Sequence, residues 1–457
     1  MLNSGRKEQI YVSVIMPSLN VAPYIEMCMD SVLCQTLQQI EILCIDAGST
    51  DGTLEILKKY ALKDERIRIL ESSRKSYGYQ INLGIKEAKG QYIGIVETDD
   101  FIDASMYREL YSYTQKDFPD FIKGGFYDYA EFENKKFISE SSLRNLSEEL
   151  GKLLDLRKKR ENGFLVLNHI WAGIYRREFL LEKDIRLNET PGASYQDIGF
   201  SMLVGLLADT SIYVKGSYYY YRRNNGNSSV KSTSKWRCVI DEVEYITQEI
   251  LNKGKYTADT ELLIWKYKTA FYFWNFLRLP ERERERFLNE INWELERYEE
   301  DSDLNDLLSA GQKEMVEVMK SREASQHYFA QIELQKKKYE NVISLFRQGR
   351  KCVLVSAGRY GEHILFLQDI TGTESIDAVA DNSREKQGCD WNGYTLMSIS
   401  EAVHNYGEDW FIVANKKYAG EIQVQLTEAG ISENKILVFD NILSADKVIE
   451  LMAGEES

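Results

Sequence analysis

The feature that most limits what this chain can fold into is an alternation running from Tyr11 to Val96. Short β-rich runs, "YVSVIM" (11–16), "IEILCID" (40–46), "RIRIL" (66–70) and "QYIGIV" (91–96), are separated by stretches with apolar residues at helical spacing. Those stretches are "APYIEMCMDSVLCQ" (22–35), "STDGTLEILKKYAL" (49–62), which opens on capping residues, and "YQINLGIKEAKG" (79–90), closed by Gly90. Strands that alternate with helices build βαβ units, so the expected class is α/β with a mostly parallel sheet flanked by helices. Pro17 is expected to end the first strand. Ligands of such sheets bind beyond the carboxyl ends of the strands. Asp46 and the acids after Val96 both fall at such ends, which predicts that they share one crevice.

The segment "GIVETDDFID" (94–103) sets Glu97, Asp99 and Asp100 at the end of a buried strand, in a chain whose net charge is already −15. Like charges at that spacing repel, and desolvating each one is costly unless positive charge arrives. A divalent cation resolves the conflict. A solvated turn in which Asp103 caps the next helix resolves it too.

Beyond this point the chain changes character twice. Residues 126–234 are less regular and hold "WAGIYRREFLLEKDIRL" (171–187), "SYQDIGFSMLVGLLA" (194–208) and "YYYYRRNNGNSS" (218–229). From about residue 236 to 350 the pattern is helical and charged, with solvated faces such as "ERERER", and its aromatic residues at helical spacing read as core. A second strand–helix rhythm starts at Cys352 with "CVLVSAGRYGEHILFL" and continues through "IDAVADN", "DWFIVAN" and "KILVF" to a small parallel sheet. The expected domains are 1–235, 236–349 and 350–457. A length of 457 residues suits about three units of roughly 150 residues.

An apolar content of 43% suits a globular core and excludes disorder. The negative balance excludes a nucleic-acid partner, which needs a basic face. It also disfavours broad attraction to anionic membrane, while leaving room for a local peripheral contact. The six Cys include no CxxC pair, and Cys28, Cys34 and Cys44 read as reduced core thiols. The polar start "MLNSGRKEQI" has no apolar h-region, and no apolar run reaches the ~18 residues of a membrane helix. The expectation is a soluble, cytoplasmic protein. The four His show no ligand spacing.

In "IDAGSTDGT" (45–53), Asp46 ends a strand, Gly48 permits a turn, and Ser49, Thr50 and Asp51 are caps for the next helix. The same loop presents an acceptor carboxylate and a helix N-terminus suited to anionic phosphate. Together with "VSVIMPSLN", "SVLCQT", "NLGIKEAKGQYIGIVETDD", "YRREFLLEKDIRLNE" and "YQDIGF" it forms an ordered set over about residues 11–230. That set resembles the family 2 glycosyltransferases of the GT-A fold, which use nucleotide sugars. The resemblance implies that Asp99 and Asp100 serve the ribose and a Mg²⁺ or Mn²⁺ ion, with Glu97 behind them. It implies Asp46 as a nucleobase contact. It places Pro17, Asn20, Gly48, Asp51, Asn82 and Arg222 in the nucleotide-sugar site, Arg222 and its neighbour Arg223 facing the diphosphate or standing as loop charges. Asp197 of "YQDIGF" is implied as the catalytic base. It also reads as an N-cap that opens an amphipathic helix. Three positions depart from the family: Ala47 and Gln196 stand where relatives carry an acid, and Glu97 replaces Asp.

The C-terminal rhythm resembles a small Rossmann-like module appended to glycosyltransferases and related sugar-modifying proteins. Gly358 and Gly361 form part of a dinucleotide fingerprint, and Asp381 falls where a ribose-binding acid would. The alternatives there are a nucleotide pocket and a vestigial fold used for packing.

The reading that follows from the resemblance is an inverting transferase. Asp197 takes the proton from an acceptor hydroxyl, whose oxygen attacks the anomeric carbon opposite the diphosphate. The donor implied is a UDP-sugar, and the acceptor a growing surface glycan or a lipid-linked oligosaccharide. One alternative is a non-catalytic sugar-nucleotide-binding or assembly protein, with the three departures marking lost activity. Another places a nucleotide- or NAD-dependent enzyme in the C-terminal module, against which stands the lack of a Tyr-x-x-x-Lys pair.

Overall fold

The computed structural model describes residues 9–132, 135–141, 143, 146, 148–160, 169–225, 233–443, 447–448 and 451–452. Residues 1–8 of the polar start and residues 226–229 of the Tyr-Arg segment lie outside the described residues. Two compact units form, residues 1–129 with 139–324, and residues 130–138 with 325–457.

The first unit opens with β1 (Val12–Ser18), α1 (Ala22–Leu33), β2 (Ile40–Asp46), α2 (Thr53–Ala61), β3 (Ile67–Glu71), α3 (Tyr77–Glu87) and β4 (Tyr92–Ile95). This is the alternation expected from the sequence. β1 and β2 are buried at every position, which is why they read as continuous apolar runs. The next elements are β5 (Phe101–Ile102), α4 (Met106–Ser112), α5 (Thr114–Asp117), β6 (Phe121–Phe132), β7 (Lys135–Ser141), β8 (Leu153–Asp155) and α6 (Leu156–Arg160). β9 (Gly173–Arg176), α7 (Arg177–Glu182), α8 (Gln196–Leu207) and β10 (Thr210–Arg222) follow. The main sheet has the order β3-β2-β1-β4-β9-β6-β10-β5. Its first four strands are parallel. β9 then runs antiparallel to both β4 and β6, and β6 and β10 are again parallel. The stretch that looked irregular in sequence therefore supplies half of the sheet.

Pro17 does not end β1; the strand continues through it to Ser18. The Ile15 carbonyl accepts from the Val96 N–H, so residues of its parity face β4. β4 stops opposite Ile15, and Pro17, two residues on, has no partner there to miss its N–H. On the other side Ser18 lies opposite Asp46. The carboxyl ends of β1, β2 and β4 thus come together.

α8 is not amphipathic. Every residue from Gln196 to Leu207 except Asp197 is buried, so the helix runs through the core of its unit. It packs against α9 (Cys238–Asn252), and a Cβ on Gly199 would lie 2.4 Å from Glu242 Oε2. α10 (Ala258–Arg278), α11 (Glu281–Glu300), α12 (Ser302–Leu307) and α13 (Ala310–Lys320) complete a helical segment that clusters with the first unit.

The second unit comprises most of α14 (Arg322–Arg347), then β11 (Cys352–Val355), α15 (Arg359–Thr371), β12 (Ile376–Ala380), β13 (Asp390–Trp391), β14 (Tyr394–Thr395), α16 (Ile399–Tyr406), β15 (Trp410–Val413), α17 (Ala419–Glu428) and β16 (Ile436–Val438). Its sheet is parallel throughout, in the order β12-β11-β15-β16, as the sequence predicts. The β13–β14 hairpin is an addition the sequence reading lacks.

Candidate functional site

Past β4 the chain turns sharply, the Asp100 N–H donating to the Glu97 carbonyl at 3.0 Å. Carboxylate oxygens of Glu97, Asp99 and Asp100 lie within 4.8 Å of one another. Each acid is fixed by different partners. Glu97 Oε1 accepts from the Tyr77 hydroxyl at 3.0 Å, and the Glu97 N–H donates to the Tyr219 oxygen at 3.1 Å. Asp99 Oδ2 accepts from Asn225 Nδ2 at 2.8 Å. Asp100, 1% exposed, accepts from the Tyr219 hydroxyl at 2.8 Å and from the Arg222 N–H at 2.7 Å. The turn is anchored to β1 through Thr98, whose hydroxyl donates to the Pro17 carbonyl at 2.7 Å.

Among the described residues, no Lys or Arg forms an ion pair with these three acids. Arg222 comes near, but its Nε donates to the Asp99 carbonyl at 2.9 Å, and its guanidinium lies about 5 Å from the ring centres of Tyr24 and Tyr129. The uncompensated charge shows in proton affinity. Burial, then Asp99 and Asp197, push Glu97 up to about 8. Burial, then Asp99 and Glu97, raise Asp100 well above the usual carboxylate range. An all-oxygen set of crowded carboxylates without a cation fits a hard divalent ion such as Mg²⁺ or Mn²⁺.

The β2–α2 loop is internally satisfied. Asp46, 2% exposed, accepts from the N–H groups of Gly48 and Ser49 at 2.9 and 3.0 Å and from the Ser49 hydroxyl at 2.5 Å. This is an Asx turn, made possible by Gly48 at φ +81. Asn20 Oδ1 accepts from the Thr50 N–H at 2.9 Å. Asp51 bonds to the Ala22 N–H at 2.9 Å and to the Thr53 hydroxyl at 2.6 Å, joining the starts of α1 and α2. Pro17, Asn20, Asp46, Gly48 and Asp51 are therefore brought together at the sheet end. Asn82 is not bonded to them: its amide exchanges bonds of 2.9 Å with the backbone of Leu187 and donates to Glu189 at 3.2 Å.

Asp197 is not the N-cap of α8. That position is taken by Tyr195 at φ +66, and Asp197 stands in the first turn. Burial pushes its carboxyl up to about 6 against the pull of nearby N–H groups and of Lys123. The Asp197 charge is also among the causes that raise Glu97, after burial and Asp99. Lys123, buried on β6, donates from Nζ to the His169 carbonyl at 3.0 Å, and burial lowers it to about 7. Gln196, one of the three departures read from the sequence, is engaged in full: it accepts from the Ser194 N–H at 2.6 Å and donates to Thr190 Oγ1 at 2.9 Å and the Gly192 carbonyl at 3.1 Å. Sequence reasoning missed Tyr77, Lys123, Tyr219 and Asn225. Only Lys123 carried a signal, as a lone charge in the apolar run "FIKGGF".

A parallel sheet with antiparallel additions and acids gathered at the carboxyl end of β4 is the arrangement of a GT-A type α/β domain. Residues 13–182 match the model of glycosyl transferase family 2. Residues 350–437 match the model "C2185-like, N-terminal". The uncharacterized glycosyltransferase EpsJ of Bacillus subtilis (strain 168) is 33% identical over 184 residues, 39% of this chain and 53% of its own. Glycosyltransferase GlyG of Streptococcus pneumoniae serotype 4 is 37% identical over 128 residues, 28% of this chain and 42% of its own. The chain thus spans about half the length of these two relatives. The crystal structure of S. aureus TarS 1–349 in complex with UDP-GlcNAc is similar with a TM-score of 0.51 at 18% identity, over 68% of this chain and 86% of that one, a likeness of fold. Among the described residues, no helix is long and apolar enough to cross a membrane.

Proposed function

We propose that the protein transfers a sugar from a nucleotide-sugar donor, in the first instance a UDP-sugar, to a hydroxyl of a glycan or lipid-linked acceptor, with inversion at the anomeric carbon. The observation that carries this reading is the cluster of Glu97, Asp99 and Asp100 at the carboxyl end of β4, without an ion-pair partner among the described residues, in the segment that matches family 2. Asp99 and Asp100 would hold a Mg²⁺ or Mn²⁺ ion, with Glu97 beside them. A divalent cation there supplies positive charge against the charge that builds on a leaving diphosphate. The chain's own residues do the rest. Asn225 and the Tyr219–Arg222 pair hold the acids in place. Asp197 takes the proton of the acceptor hydroxyl, and a carboxylate raised to about 6 is a stronger base than an ordinary one while still ionised at neutral pH. The β2–α2 loop, with Asp46 and Gly48, and Arg222 border the space for base and phosphates. Assembly of surface polysaccharide on the inner face of a membrane is the setting in which such a reaction would serve.

The test is donor turnover. Purified protein is assayed for release of UDP from UDP-sugars with Mn²⁺ and with EDTA, with and without acceptor glycans. Metal-dependent release is expected. Tight UDP binding without turnover on any donor would instead support a sugar-nucleotide-binding protein.

A further inference from the structure

The second unit has a cavity of about 790 Å³ at the carboxyl end of its sheet. It lies where the chain order reverses: from β11 the chain moves to β12 on one side, then crosses to β15 on the other. Open parallel sheets bind ligands in this crevice. The volume falls within the roughly 300–1,000 Å³ of small-molecule sites.

The walls have a consistent chemistry. The cavity is bordered by Gly358, Arg359 and Tyr360 at the start of α15 and by Tyr418 and Glu421 at the start of α17, two helices long enough to present a positive N-terminal end. A Cβ on Gly358 would meet nothing within 4 Å, so backbone there faces open space. A Cβ on Gly361 would come 2.5 Å from the Ser356 carbonyl, so this glycine lets α15 sit against the loop. Arg359, Lys386, Lys416 and Lys417 line the cavity against two acids, Asp381 and Glu421. Asp381 is already bound to the Ala357 and Ser383 N–H groups at 2.9 and 2.8 Å and to Lys386 at 3.3 Å. Arg359 and Lys416 form no ion pair among the described residues. In a chain of net charge −15 this is a local excess of positive charge. Tyr418 is 45% exposed, with the Lys417 ammonium 4.8 Å from its ring centre. Ser356 is held at φ +92, its hydroxyl accepting from Asn415 at 3.1 Å, a strained backbone at the cavity floor.

We propose that this cavity is a second, independent binding site for a nucleotide, with phosphates at Gly358, Arg359 and Lys416 and the flat base against Tyr418. Both helix ends and both unpaired cations point to anionic oxygens, and the exposed ring calls for a stackable group.

The experiment uses the full chain in EDTA, so that metal-dependent binding in the first unit is silent. UDP, ADP and inorganic pyrophosphate are titrated by calorimetry, and hydrogen exchange is followed over residues 356–361 and 414–422. Protection of both segments by UDP or ADP is expected, with tighter binding than pyrophosphate. Arg359→Glu should weaken it at least tenfold. Gly358→Val should do the same by filling the cavity, since φ −166 suits any residue. Both variants should keep Mn²⁺-dependent UDP binding. Protection by none of the three probes, or protection unchanged in both variants, overturns the site. Pyrophosphate binding as tightly as either nucleotide overturns the assignment of a base to Tyr418.

Discussion

The main-chain N–H of Arg222 donates to Asp100 Oδ1 at 2.7 Å, although 122 positions separate the two residues. The other oxygen of the same carboxylate takes the Tyr219 hydroxyl. The end of β10 therefore holds the acid turn in place, and the acids differ in what removing them does.

Asp99 faces Asn225 and is the acid whose loss should be read in binding alone. Wild-type protein is expected to bind UDP more tightly with Mn²⁺ than with EDTA. Asp99→Asn should remove most of that difference and leave the melting temperature nearly unchanged. Asp100→Ala strands two buried donors and should in addition cost about 1–3 kcal/mol of stability. Calorimetry and urea unfolding on the same preparations check both. Equal UDP affinity with and without metal in the wild type would remove the case for a cation.

Asp197→Asn keeps size and shape but loses basicity. Positioned proton removal contributes about 10²–10⁴-fold, so turnover should fall by roughly 10² or more while UDP binding persists. Because Tyr195 occupies the cap, no cap is lost and stability should hold. Single-turnover transfer and melting on one sample separate chemistry from folding. In the wild type, activity should fall on the acid side of about pH 6, where Asp197 takes up a proton. Near-normal transfer by the variant would move the base elsewhere.

Lys123 favours the ionised form of Asp197. Lys123→Met removes that cation, so Asp197 should hold its proton to higher pH and the acid limb of the rate profile should move upward. Since burial lowers Lys123 itself to about 7, the effect should be largest below that pH, where the ammonium is charged. The pH dependence of kcat is the measurement. A limb that stays put would mean the two groups are not coupled.

Glu242 is fully buried between α8 and α9, and burial pushes its carboxyl up to about 9. A folded-state value above the unfolded one means that the fold prefers the protonated acid. That preference is fully present below about pH 4 and is lost as pH rises toward 9. Glu242→Gln, which has no proton to lose, should therefore be more stable than the wild type at pH 8, by up to about 5 kcal/mol, with the gain gone at pH 4. Its amide can still bond Asn188, the present partner of Oε1. Urea unfolding at the two pH values tests this, and equal gains at both would point to packing instead of ionisation.

Three of the first four strands, β1, β2 and β4, were legible because each is buried on both faces and leaves a continuous apolar run, while β3, half-buried, showed as an alternation. The acid turn was legible because three acids directly after such a run conflict with burial. Pro17 misled because its effect depends on whether a neighbouring strand extends that far, which local sequence does not encode. α8 misled similarly: alternation of apolar and small residues looks like one face, until Glu242 and its helix cover the other. The partners of the acids were hidden for a different reason. Tyr219 meets Asp100 across 119 positions, and in "YYYYRR" nothing distinguishes the tyrosine that turns inward.

The bond from Arg222 to Asp100 also bears on where the chain can be cut. Residues 13–182, the part that matches the family, contain all three acids but none of Tyr219, Arg222 and Asn225. A fragment trimmed to that match would leave Asp100 without the two donors that make its burial tolerable. Glu97 would lose one bond as well, and Asp99 two. The smallest excisable piece able to keep its acid turn closed must therefore run past Asn225.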